Sequence, residues 1–320
     1  MSSDRKSRLS QGHWSLKWPA ATRIRATVRY AAAMQDGLLA DCPGGSAATA
    51  VAAPRPPRGA AASIALAGLL SAPVRPARLL GASAAAIYLG LDDRGREPTV
   101  VAVVAFDAVR LPLALVLAGR LPAVDTAASG SVGGGGVTIG SLRLRPSRWF
   151  DPRPRLAGPS QPGPTAEAAR LLAELRADAS GLPGVQVDAV STGLVGGDPG
   201  PALDLIGLGP GLTPAGDDVV AGVFAAIALW GRLNVGAVEA VLSHAASATS
   251  SLSSSLLRCA AAGQVIPQAA AVLVALGGLG MLRPALEDLL GVGATSGVAL
   301  ALGLVAGARA VLATPAGQIR

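Results

Sequence analysis

Residues 205–222, LIGLGPGLTPAGDDVVAG, constrain this chain more than any other segment. A short apolar run from Ala202 to Ile206 leads into glycines at 207, 209, 211 and 216, and Thr213-Pro214 precedes Asp217, Asp218 and a long apolar stretch. The spacing predicts a strand, a glycine turn and a helix. Thr213 suits the N-cap, and Pro214 suits the first helical position, where its missing N–H is not needed. A glycine loop entering a helix N-terminus surrounds a small hollow with unpaired backbone N–H groups, which suits an anion or a polarised carbonyl.

Counted from an N-cap at Thr213, Asp217 lies above Thr213 on the loop side, and Asp218 is rotated by about 100°. Two carboxylates here could simply complement the helix dipole, an effect of a few tenths to about 1 kcal/mol. That role needs neither an adjacent pair nor four nearby glycines. The functional reading makes Asp217 and Asp218 catalytic candidates, Asp217 orienting or deprotonating an amide or hydroxyl. Gly207, Gly209, Gly211, Thr213 and Gly216 are then substrate-binding candidates. A dinucleotide loop is excluded because the third glycine of G-x-G-x-x-G would fall at Leu212 and no acidic residue follows about 20 positions on. The Walker pattern fails for want of a lysine.

Two later segments carry similar chemistry. Thr249 to Ser255 is a hydroxyl run before Leu256, and helical spacing places Thr249, Ser253 and Leu256 on one face. Thr249 and Ser253 are candidates to line a polar pocket, with Arg258 adding charge; the alternative is back-bonding to the preceding turn and close packing. Gly291 to Gly297 is a second glycine turn ending in hydroxyls, with Thr295 or Ser296 as N-cap and Thr295, Ser296 and Gly297 as binding candidates. Convergence of the three segments on one anion pocket is the resulting expectation. His244 sits among Ala and Ser on a helical stretch and reads as a surface or satisfied histidine, so no Ser-His-Asp arrangement emerges.

Composition narrows the classes further. Only 3% of the 320 residues are aromatic while 51% are hydrophobic, a balance that favours helices packed closely through small side chains. Lys6 and Lys17 are the only lysines, so Schiff-base and lysine-base chemistry is excluded beyond them. The net charge of +7 gathers in the first 60 residues and between Arg143 and Arg155, without a DNA-binding motif, and reads as solvated arginine surface with no nucleic-acid partner. Cys42 and Cys259, with His13 and His244, are too few for a disulfide framework or a standard zinc site, so neither metal nor cofactor is expected and a reduced cytoplasmic setting fits. No signal peptide is evident. Leu289 to Ala308 lacks charge but carries five glycines with Thr295 and Ser296, so buried helices are a better account than membrane spans.

Along the chain, residues 1–62 read as a basic, mobile tail with a short helix around Thr22 to Leu39. Residues 63–151 read as a β-rich mixed domain. Its strands are expected at Ala84–Leu91, at Thr99–Phe106 beyond a turn at 92–98, and at Val137–Leu144. Alternation in the last puts Val137, Ile139 and Ser141 on one face, and Thr138, Leu142 and Leu144 on the other. Residues 152–164, with five prolines, read as a linker. Residues 165–320 read as a mainly helical domain. Its helices are expected at Thr165–Ala179, Pro214–Gly231, Val238–Ala262, Gln268–Ala275, Pro284–Leu290 and Ser296–Ala313, with a strand at Val185–Val190. The expected fold is therefore α+β, a small β-rich N-terminal domain followed by a mainly helical C-terminal domain with a glycine-loop site.

The three motifs together resemble a bacterial family that includes a subunit of the oxamate carbamoyltransferase of allantoin degradation. Its hallmark, G-x-G-x-G-L-T-P-x-G-D-D-x-x-x-G, is matched from Gly207 to Gly222; its Thr/Ser segment is similar to Thr249–Gly263 and its last turn to Gly293–Gly297. Weaker similarity lies in Ala82–Val104 and Val137–Trp149. In the last turn Ala294 stands where the family pattern has His, and Val298 and Ala299 stand where it has an acidic residue. The resemblance implies an enzyme subunit handling carbamoyl phosphate and a small carboxylate or amide such as oxamate or oxalurate, working with other subunits of the enzyme. The alternative is a non-catalytic ligand-binding or scaffold subunit of a metabolic complex.

Overall fold

The computed structural model of the protein describes residues 56–91, 100–125, 128–156, 162–175 and 187–314. The expectations for most of the N-terminal tail, for the turn at 92–98 and for Cys42 and His13 lie outside the described residues.

The N-terminal half forms strands β1 (Arg58–Ser63), β2 (Arg75–Ala82), β3 (Ala86–Gly90), β4 (Val100–Val104), β5 (Ala114–Leu117), β6 (Gly130–Gly133), β7 (Gly136–Ile139) and β8 (Leu142–Phe150), with one short helix, α1 (Ala67–Ser71), after β1. They close into a barrel in the order β1-β5-β4-β3-β2-β6-β7-β8. The β1–β8 and β4–β5 pairs are parallel and the others antiparallel. This corrects the expected small β-rich domain: the sheet has no free edge, while the overall α+β class stands. The missed strands are rich in Ala, Gly, Arg and Pro, as in RGAAAS and GSVG, which have little intrinsic β preference. Their pairing is fixed by closure, which leaves no edge to protect.

One expected strand divides. Val137–Leu144 is a hairpin in which Ile139 pairs with Leu142 across Gly140-Ser141, and Gly140 takes a positive φ of 54° suited to a two-residue turn. Simple alternation put Val137 and Ile139 opposite Leu142 and Leu144. The reversal instead turns all four into the barrel core.

The second half packs helices α2 (Thr165–Glu174), α3 (Val187–Gly196), α4 (Gly200–Leu203), α5 (Ala215–Leu229), α6 (Val235–Ala248), α7 (Ser251–Ala261), α8 (Pro267–Leu276), α9 (Leu282–Leu290) and α10 (Ser296–Ala313). The strands expected at Val185–Val190 and Ala202–Ile206 are overturned: α3 covers the described part of the first, and the second is the end of α4 followed by turns. A five-residue apolar run reads alike for a buried strand and a buried helical turn, and no strand is available here to pair with. The single helix expected over Val238–Ala262 is two. Thr249 is extended (φ −136°, ψ −178°), and the Ser250 hydroxyl caps α7 by accepting the Ser253 N–H at 3.0 Å.

Helix α5 is buried nearly all round, and α10 runs against it. Their approach depends on absent side chains. A Cβ on Gly222 would lie 2.4 Å from the Leu300 carbonyl oxygen, and one on Gly303 would lie 2.1 Å from that of Val219. Helix α7 joins the two halves, with Leu257 and Ala260 in the helical core and Leu252 and Cys259 in the barrel core. Among the described residues one helix, Ser296–Ala313, is long and apolar enough to cross a membrane, and 67% of it is buried against the rest of the chain.

Candidate functional site

The glycine loop is built by backbone crowding. The Gly216 N–H donates to the Leu208 carbonyl at 2.9 Å, and a Cβ on Gly216 would lie 2.0 Å from the Leu205 carbonyl oxygen. Gly207 adopts φ 79°, with room for a Cβ denied by the Ala248 carbonyl oxygen at 2.4 Å. The loop is thereby pressed against the end of α6. Residues 209–212 form its exposed crest, and among the described residues the N–H groups of Gly209, Gly211, Leu212 and Thr213 have no protein acceptor. These are the donors expected of an anion-holding loop.

The helix starts one residue later than the sequence suggests. Pro214, extended at ψ 142°, occupies the N-cap position and Ala215 opens α5, so Thr213 is not the cap. The Thr213 hydroxyl lies instead 3.0 Å from the Ser296 hydroxyl at the start of α10. Thr295 holds the N-cap position of α10 without a side-chain capping bond.

Asp217 is buried, with 1% of its surface exposed. One carboxylate oxygen accepts the Gly207 N–H at 2.7 Å, and the other accepts the Ser253 hydroxyl at 2.6 Å and the Thr249 hydroxyl. A single side chain thus ties the loop, the start of α5 and the α6–α7 junction. Both of its oxygens are satisfied from within the fold, as a buried carboxylate requires. The neighbouring Ser250 hydroxyl donates to the Leu212 carbonyl and pins the crest to α7. Ser250 was not singled out from the sequence; the signal was its place three residues before Ser253, a capping spacing hidden by the run of hydroxyls.

Asp218 faces α10. Burial pushes its carboxyl up to about 7, against the lowering effect of a hydrogen bond from Ser296 and with a further rise from the Asp217 charge. With the Ser296 proton directed to Asp218, Thr213 becomes the donor to Ser296, giving a chain of three side chains. The Oδ2 atom of Asp218 is buried and has no partner. A carboxyl balanced near neutrality with a spare oxygen can accept or donate a proton, the property wanted of a general acid or base.

The structure therefore brings together Gly207, Gly209, Gly211, Thr213, Gly216, Asp217, Asp218, Thr249, Ser253 and Ser296, from all three sequence motifs. Gly297 is a packing residue: its Cβ would lie 2.0 Å from the Leu289 carbonyl oxygen. Ser255 back-bonds to the Ser251 carbonyl at 2.7 Å. His244 is exposed. Burial pushes the Cys259 thiol up to about 12, far from a reactive thiolate. Among the described residues no three His, Cys, Asp or Glu side chains group as metal ligands.

Residues 205–308 match the family model described as oxamate carbamoyltransferase subunit AllH. The matched segment is about a third of the chain, and it is this region that is similar to the AllH description. The match runs from the turn after α4 into α10, so it contains all three motifs and none of the barrel. The matched description names a subunit of a carbamoyltransferase. No curated protein and no solved structure matches the chain.

Proposed function

We propose that this chain binds carbamoyl phosphate on the glycine loop and sets a small amide such as oxamate beside Asp218, as a subunit of a carbamoyltransferase. The reading rests on the convergence of free backbone donors with a carboxyl poised near neutrality. In the transfer, the amide nitrogen of the acceptor attacks the carbamoyl carbon. A nitrogen–carbon bond forms, the carbon–oxygen bond to phosphate breaks, and phosphate departs with that electron pair. The proton shed by the nitrogen passes to the Asp218 carboxylate. The loop N–H groups hold the phosphate and the developing oxyanion, where preorganised donors contribute most. Asp217 acts as a positioning residue, since its oxygens already hold the loop and α7. The reverse reaction, from oxalurate and phosphate, uses the same groups.

Thermal shifts of the purified chain with carbamoyl phosphate, oxamate, oxalurate and phosphate test this. Ligand at a hundred times its Kd stabilises by about 2.7 kcal/mol, a rise on the order of 5–10 °C. Asp218→Asn is expected to retain phosphate binding and to lose transfer by about a hundredfold or more in the assembled enzyme. A folded protein that shifts with none of the four ligands would sink the proposal. Binding with undiminished transfer by Asp218→Asn would leave a ligand-holding subunit whose chemistry lies elsewhere.

A further inference from the structure

Asp218 belongs to the first turn of α5, and its Oδ2 atom is buried with no hydrogen-bond partner among the described residues. The hydroxyl that reaches its carboxyl is that of Ser296 at the start of α10, which in turn lies 3.0 Å from the Thr213 hydroxyl. Thr213 is the member of this chain that adjoins the crest. It is half-buried and follows Leu212, which is 52% exposed, and its own backbone N–H has no acceptor among the described residues. An anion held by that N–H therefore lies beside the Thr213 side chain, whereas Asp218 is reached from there through Ser296. Asp217 takes no part, because its oxygens are committed to Gly207, Ser253 and Thr249.

The Thr213–Ser296 hydrogen bond has no fixed polarity, since either oxygen can be the donor. A hydroxyl accepts on a lone pair while it donates its own proton, so two hydroxyls in series pass a proton in either direction. Burial of the Asp218 carboxyl, which raises it to about 7, lets it hold a proton and give it back near neutrality.

Resting on the carbamoyltransferase reading, we propose that Thr213 and Ser296 form a two-way proton relay between the reacting groups and Asp218. As the acceptor nitrogen attacks, its proton passes to the Thr213 oxygen, the Thr213 proton to the Ser296 oxygen, and the Ser296 proton to the Asp218 carboxylate. Each hydroxyl oxygen breaks one O–H bond and forms another, so both end neutral and only Asp218 gains a proton. Both hydroxyls then point back toward the loop. When the carbon–oxygen bond to phosphate breaks, the phosphate takes that electron pair, and the chain runs in reverse to deliver the proton to a phosphate oxygen. The nitrogen has lost one proton, the phosphate has gained one, and Asp218 is restored. Thr213 touches the reacting atoms and is catalytic; Ser296 acts through it.

Steady-state transfer from carbamoyl phosphate to oxamate by the assembled enzyme, purified through a tag on this chain, tests the relay. Thr213→Val keeps the shape and the backbone N–H and removes the hydroxyl, and Ser296→Ala breaks the chain one step further in. Each is expected to lower kcat by about a hundredfold, with KM for carbamoyl phosphate within about threefold of wild type. Thr213→Ser keeps a hydroxyl and is expected to bring kcat back to within about fivefold of wild type. Either relay variant combined with Asp218→Asn is expected to be no slower than Asp218→Asn alone, because members of one chain fail as a unit. A purely structural role predicts losses that multiply and no recovery tied to the hydroxyl. An unchanged kcat in both Thr213→Val and Ser296→Ala, or losses that multiply with that of Asp218→Asn, would overturn the relay. With a wild-type enzyme that transfers the carbamoyl group, either result strikes this proposal alone. A wild-type enzyme that transfers nothing strikes the function and the relay together.

Discussion

The barrel and the helical region solve burial in opposite ways. Among the described residues the barrel buries a single polar side chain, Ser63, behind inward-facing Val, Leu, Ile and Ala from every strand. The helical region buries Thr165, Ser191, Asp217, Ser253, Ser254 and Ser255, four of them on α5 and α7 beside the glycine loop. An apolar barrel core stabilises by area removed from water and tolerates imprecision. A buried polar cluster stabilises only when every member has a partner, and it fixes geometry in return. Chemistry is accordingly expected where the polar groups are, and the barrel serves as a platform for α7.

The sharpest way to break that contrast is at its centre. Asp217→Ala leaves the Gly207 N–H and the Thr249 and Ser253 hydroxyls without an acceptor. At roughly 1–3 kcal/mol for each stranded group, relieved in part by rotation of the hydroxyls, a loss of about 4–5 kcal/mol is expected from urea unfolding. Ser253→Ala within the Asp217→Ala background should then cost almost nothing further, because the pair acts as a unit. A loss under 1 kcal/mol for Asp217→Ala would show that the cluster is not structural.

Asp218 is the next largest effect, and it depends on pH. Its carboxyl is raised from 3.8 to about 7 in the folded chain. Between those values the folded state keeps a proton that the unfolded chain releases, so stability falls as pH rises through this window and levels off above about 7. The loss is on the order of 3–4 kcal/mol across the window. Asp218→Asn should remove that slope, and stability curves of the two proteins from pH 4 to pH 8 would read it. Parallel curves would mean that Asp218 is hydrated and unsuited to hold a proton at neutral pH. The barrel, with no such group in its core, should contribute no comparable slope.

These two aspartates also explain what was legible in the sequence. The residues of the site were, because glycines, a Thr-Pro step and paired carboxylates are dense signals that need no knowledge of packing. Helices α5, α8, α9 and α10 were legible too, since long apolar segments between glycine and proline punctuation leave few alternatives. The roles inside the site were not. Asp217 and Asp218 are adjacent in sequence, yet one faces Thr249 and Ser253 on α7 and its neighbourhood while the other faces Ser296 on α10. That division is set by which helices pack on which side of α5. The barrel was illegible for a related reason: β1 and β6 are rich in small residues, β5 has only four residues, and they become strands through partners as far away as the β1–β8 pair.

Glycine substitutions at a crowded helical position and an open barrel position differ by a smaller margin. Gly303→Ala sets a Cβ 2.1 Å from the Val219 carbonyl oxygen, which α5 and α10 can accommodate only by moving apart. A net loss of about 2 kcal/mol is expected after the helix propensity gained is set against the overlap. Gly81→Ala on β2 meets nothing within 4 Å, so its expected change is within about 0.5 kcal/mol. Equal losses at the two positions would mean that the crowding at Gly303 relaxes at little cost.

The smallest expected effect marks where polar contacts cease to matter. Glu174 on α2 pairs with Arg283 on α9 at 2.9 Å and with Arg170 at 3.2 Å, and all three side chains are exposed. Water screens these charges and competes for their hydrogen bonds, so Glu174→Gln should change stability by about 0.5 kcal/mol or less, and less still in high salt. It removes charge-assisted hydrogen bonds of ordinary length, as Asp217→Ala does, with an expected effect roughly a tenth as large. The contrast points to burial, since the Glu174 donors are charged guanidinium groups and those of Asp217 are a neutral N–H and two hydroxyls, yet the larger effect is expected at the buried site. A loss at Glu174 approaching that at Asp217 would mean that α2 and α9 rely on their surface as heavily as the loop relies on its interior.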